Sequence, residues 1–129
     1  MAHPMNSFLP PKSFQGALDH YQAGRMAQAE AICRQILQIE PNQPDALNLL
    51  GTIAGRLGKS EIAIELIGKA ISANPSNPVY YINLGNVLKE QGKLDEAIEN
   101  YRKALSLNPD LAGACFNLGI ALHAQGKLD

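Results

Sequence analysis

The chain has 129 residues, a formal net charge of −1, 46% apolar residues and 18% charged residues, with no Trp and two Cys. Such a balanced charge provides no concentrated basic face, the feature that nucleic acid and anionic membranes reward, so neither is expected as a partner. The apolar fraction argues against global disorder, and with three Phe and four Tyr the core must be built mainly from aliphatic residues and Ala.

Residues 1–9 read as an N-terminal extension in which Phe8 and Leu9 are candidates to cap the first helix. From there the chain repeats itself. Pro41, Pro75 and Pro109 are spaced by 34 residues, as are Gly24, Gly58, Gly92 and Gly126, and also Leu50, Leu84 and Leu118. Gly51, Gly85 and Gly119 keep the same interval, as do Ala29, Ala63 and Ala97. Several series in phase define an internal repeat, and each unit reads as two helices.

Residues 10–43 form the first and most divergent unit, with Ser13, Gly16, Ala17 and His20 on its first helix and Ala29, Cys33 and Ile36 on its second. In residues 44–77 the corresponding sets are Leu47, Leu50, Gly51 and Ala54, then Ala63, Ile67 and Ala70. Residues 78–111 are the clearest unit. Asn77 and Pro78 stand in the order of helix cap and first-turn proline. Tyr81, Leu84, Gly85 and Leu88 make one apolar stripe, and Gly92 breaks the helix. Leu94, Ala97, Ile98, Tyr101, Ala104 and Leu105 make the stripe of a second helix, which stops before Pro109. The short connection folds the two helices into an antiparallel hairpin. Gly85, Ala97 and Ala104 are expected to permit close backbone approach, with Leu84 and Tyr101 filling the remaining space. One hairpin cannot bury both of its apolar faces, so the units must stack.

Residues 112–129 supply only a first helix, with Cys115, Leu118, Gly119, Leu122 and Gly126. The turn Gly126-Lys127-Leu128-Asp129 matches Gly92-Lys93-Leu94-Asp95, but no second helix follows. The expectation is a fragment of a longer protein whose last helix exposes Leu118 and Leu122. Self-association through that helix would follow. The rival reading is that this helix is itself the cap.

The run Tyr81, Leu84, Gly85, Leu88, Ala97, Tyr101, Ala104 and Pro109 resembles the tetratricopeptide repeat pattern. The resemblance covers residues 10 to 129. It implies an all-α, right-handed solenoid of antiparallel helix pairs, three full repeats plus one helix. It also implies that the first helices line a concave face that binds a peptide or partner protein.

On that arrangement the candidate contact residues are Gln15 in the first repeat and Asn48, Thr52 and Arg56 in the second. The third contributes Asn83, Asn86 and Lys89, and the fourth Asn117 and His123. Phe14, Tyr21 and Glu90 are also expected on this face. Asn83 and Asn117 share one slot, directly before Leu-Gly, which Gln15 and Leu49 fill in the earlier repeats. A carboxamide both donates and accepts, so a row of them would suit the backbone of an extended peptide. The plainer reading is that Asn is a common exposed residue in such repeats. A similar asparagine row occurs in O-linked N-acetylglucosamine transferases, so a second expectation is the substrate-recognition arm of such a glycosyltransferase. The known clamp for a C-terminal carboxylate fits poorly, because Phe14 stands where that clamp carries Lys.

Catalysis by these residues is not expected, nor a cofactor or metal. His3, His20 and His123 share no ligand spacing. Gly55-Arg56-Leu57-Gly58-Lys59-Ser60 imitates a phosphate loop, but Ile53 replaces the first Gly and every repeat carries the same turn. Glu99 and Lys103 are spaced to pair on a solvated helix face. Cys33 and Cys115 are expected to be small buried residues in a reducing cytoplasm. No signal peptide is expected, because Met1 to Ser7 lack basic and apolar regions.

Overall fold

The computed structural model describes residues 12–126, which form seven helices and, within that range, no strand. They are α1 (Lys12–Gln22), α2 (Met26–Ile39), α3 (Pro44–Arg56), α4 (Ser60–Ala73), α5 (Pro78–Glu90), α6 (Leu94–Leu107) and α7 (Ala112–Ala124). The expected cap by Phe8 and Leu9 lies outside the described residues.

Local chemistry accounts for the helix ends. Pro78 opens α5, and the Asn77 side chain accepts the backbone N–H of Val79 at 3.0 Å. At α3, Gln43 plays the same part, accepting from Ala46 at 2.8 Å ahead of Pro44. The first helices end alike. Lys93 N–H reaches Leu88 O at 2.9 Å and Gly92 N–H reaches Lys89 O at 2.9 Å. This pair of bonds satisfies carbonyls that the helix leaves open, and it requires a left-handed residue between them. Gly92 supplies it with φ +80°, as Gly58 does with φ +81° inside the phosphate-loop look-alike. That segment is therefore an interhelix turn. We expect Gly92→Ala to lower stability by about 1 kcal/mol, the cost of a side chain in left-handed backbone. A thermal melt unchanged by the substitution would contradict this.

Each helix packs on its neighbours in the chain, and successive first helices also touch: α1 on α3, α3 on α5, and α5 on α7. The second helices α2, α4 and α6 do not contact one another. A stack whose one layer is in contact and whose other layer is splayed must curve, with the touching layer inside. This places α1, α3, α5 and α7 on the concave side.

The core is aliphatic, Ala-rich and continuous from unit to unit. Leu47, Ala63, Ile67, Ala70, Tyr80 and Val87 join the second unit to the third. Leu88, Ala97, Ile98, Tyr101 and Ala121 join the third to α7, where Ala104 also meets Ala114 and Tyr81. Gly85 has a more specific role than backbone approach. A Cβ there would lie 2.6 Å from the ring of Tyr101, so the glycine is the seat of that ring.

Three expectations need correction. Leu118 and Leu122 are half-buried, because they pack against the cluster of Leu88, Ala97, Ile98 and Tyr101 in the third unit. The open face of α7 carries Cys115, Gly119, Phe116 at 69% exposure and Ile120 at 41%. Cys115 is thus exposed, since no described residue covers the slot in which Leu47 and Tyr81 are buried. Glu99 and Lys103 do not pair; among the described residues the ion pairs are Glu30–Arg34 at 2.8 Å and Glu65–Lys69 at 3.9 Å. Cys33 is buried as expected, and burial, with Glu30 nearby, pushes its thiol up to about 12. It remains a protonated, unreactive thiol.

Candidate concave interface

Polar ties run across the concave side from one first helix to the next. Asn83 Nδ2 donates to Asn48 Oδ1 at 3.1 Å, linking α5 to α3. Asn117 Nδ2 donates to Asn86 Oδ1 at 3.0 Å, linking α7 to α5. Tyr101 of α6 donates its hydroxyl to the same Asn86 oxygen at 2.7 Å. Toward the start of α5, the Tyr80 hydroxyl donates to Asp45. Burial, followed by the hydrogen bond and charge of Asp45, pushes that hydroxyl well above the ordinary tyrosine range. Burial also raises Tyr101, with help from Glu90, to about 12. Both phenols therefore stay protonated and act as donors.

The row of amides differs from the one expected. Leu49 does not face the concave side; it is 4% exposed in the core with Ala17, Cys33 and Ile53. Asn48 takes its place beside Asn83. The touching helices align residues 35 or 31 apart rather than 34, so equivalent slots are not direct neighbours. Two amide pairs result instead of one straight ladder. Part of their hydrogen-bonding capacity holds the helices together. The other part remains available: Asn48 and Asn86 keep their NH2 groups, and Asn83 and Asn117 keep their oxygens.

An open pocket of about 400 Å³ lies along this seam, lined by Tyr21, Thr52, Arg56, Asn83, Asn86 and Glu90, among others. The Arg56 guanidinium donates to the Tyr21 hydroxyl at 2.9 Å, and its Cζ stands 5.4 Å from the Tyr21 ring centroid. Cation–π attraction and the hydrogen bond together hold this charge over the groove. Thr52 turns its hydroxyl proton to Asn48 O at 2.8 Å, leaving its oxygen as an acceptor.

The other expected contacts are more remote. Gln15 is exposed and bonds Asp19 on its own helix at 3.0 Å. Lys89 is half-buried outside the pocket lining, and His123 lies on the open face of α7 beside Phe116. Phe14 is largely taken up by the core under α3. Glu90, expected on the concave face, lines the pocket and holds the slot of Arg56 one unit later. Among the described residues no group of His, Cys, Asp and Glu could hold a metal ion. No helix among them is long and apolar enough to cross a membrane.

Helix hairpins in register, stacked with the first helices inside, define an α-solenoid. Family models described as tetratricopeptide repeat match residues 44–77 and 66–99, and one described as TPR repeat matches residues 85–126. The chain belongs to the tetratricopeptide repeat family. Its structure is similar to a Thermobaculum terrenum O-GlcNAc transferase, with 34% identity and a TM-score of 0.84, covering 86% of this chain and 21% of that one. It is also similar to Pseudomonas aeruginosa PilF, with 27% identity and a TM-score of 0.82, covering 89% of this chain and 53% of that one. A third similar structure is the first TPR of Spaghetti (RPAP3), bound to an HSP90 peptide. There identity is 21% and the TM-score 0.81, with 88% of this chain and 90% of that one covered. The last likeness is of fold alone. No curated protein sequence matches the chain.

Proposed function

We propose that this chain is a protein-interaction module that binds an extended peptide or a segment of a partner protein along the concave seam of α3, α5 and α7. The carrying observation is the pair of amide couples, Asn48–Asn83 and Asn86–Asn117, each holding back donors or acceptors beside an open pocket. An extended backbone presents N–H and C=O groups in alternation, and amides answer both without reading side chains.

Selection of displayed random peptides on the immobilised chain tests this. The peptides recovered should bind the Asn83→Ala, Asn117→Ala double variant roughly tenfold more weakly, the loss of about two hydrogen bonds. Equal binding by a double variant with an unchanged melting profile would rule out the amide seam.

A second reading is favoured by the 34% identity to a bacterial O-GlcNAc transferase. In it the module is the substrate-recognising arm of a larger glycosyltransferase. The reading frame past Asp129 tests this: further repeats and then a large α/β region support the arm, and any other continuation removes it.

A further inference from the structure

The last-turn slot of the first helices is occupied by Gln22, Arg56, Glu90 and Ala124 in successive units. Only the two middle units carry charge there, and the charges are opposite. Arg56 and Glu90 line the same pocket, yet they are not an ion pair. Arg56 is turned instead to Tyr21, one unit earlier, by the hydroxyl contact and the ring. That arrangement keeps a positive charge and a negative charge apart on one groove wall. Both side chains are exposed, so each can meet a ligand without first being desolvated.

We propose that the groove reads the charge order of its peptide, taking an acidic side chain at Arg56 and a basic side chain at Glu90. This rests on the peptide-binding reading above and deepens it. Packed helices stand about 8–10 Å apart. An extended or polyproline-type chain advances about 3.1–3.3 Å per residue, so the two ligand charges fall two to four residues apart. The fixed order of Arg56 and Glu90 along the stack also gives the peptide one direction, which the amide couples alone do not specify.

The test uses random 12-residue peptides displayed on phage and selected in parallel on the unaltered chain and on a R56E, E90R double variant. Peptides recovered on the unaltered chain should carry Asp or Glu and Lys or Arg two to four positions apart, in one consistent order. On the double variant the order should reverse. A synthetic copy of a recovered peptide should bind the double variant roughly tenfold more weakly, the scale of two exposed ion pairs lost. Arg56→Gln, which keeps bulk and polarity, should remove the acidic preference and spare the basic one. Peptides that bind without paired charges, or with the same order on both proteins, overturn the charge-order proposal and leave the peptide groove standing. Recovery of no peptide above the bare support overturns both.

Discussion

Replacing Tyr101 with alanine lowers stability by about 3–5 kcal/mol, the range for emptying a buried ring from a core. Tyr101 is fully buried, and its ring fills the hollow over Gly85. The floor of that hollow is α5 backbone at Gly85, which carries no side chain to fill it. The change also strips a 2.7 Å hydrogen bond from Asn86, which holds Asn117 of the next first helix. For a chain of this size the melting temperature should fall by roughly 10 °C or more. Tyr101→Phe separates the two effects: it keeps the ring and loses only the hydrogen bond, at a cost of about 1 kcal/mol. Urea denaturation of the three proteins measures the series. An alanine variant as stable as the phenylalanine one would show that the ring is not what joins α5 to α6.

The second large effect is a contrast within one slot. Gly85→Ala places a Cβ 2.6, 2.9 and 3.0 Å from three carbons of the Tyr101 ring. Such overpacking costs about 1–3 kcal/mol, more than the gain of roughly 1 kcal/mol from exchanging glycine for alanine in a helix. Gly51→Ala meets Ile67 at 2.7 Å and the Ala63 carbonyl at 3.1 Å, and should behave alike. Gly119 holds the same slot on α7, where nothing described lies within 4 Å of the added carbon. There only the helix preference operates, so Gly119→Ala should raise stability by about 0.5–1 kcal/mol. Melting temperatures that move in opposite directions for Gly85→Ala and Gly119→Ala confirm that the glycine slot is a seat for the second helix. Parallel shifts would refute it.

The same slot shows how far the residues alone could be read. Gly51, Gly85 and Gly119 stood out by their spacing, and spacing revealed the repeat and the hairpin. It could not distinguish a glycine under a tyrosine ring from one facing open space, since that depends on what packs above it. The candidate interface divides likewise. Asn83, Asn86 and Arg56 were legible as first-helix polar residues off the packing stripe. Leu49 was misplaced, because it turns into the core, and Asn48 joined to Asn83, because α3 and α5 meet there one residue out of the 34-residue register. Glu90 was legible too, as a concave position of the third repeat, but its opposition to Arg56 in one pocket depends on how α3 and α5 pack.

Helix ends, turns and the stacked, all-helical plan are consequences of short-range chemistry. Proline forbids certain backbone angles, glycine permits others, and a period of 34 places each apolar stripe against the next. These constraints act within or between adjacent units, so they are written in the order of the residues. Which amides meet, which phenol holds Asn86, and that Arg56 leans on Tyr21 instead of Glu90 depend on the tilt between helices and the curvature of the stack. Those are set by the sum of all packing contacts, and no single stretch of the chain contains them.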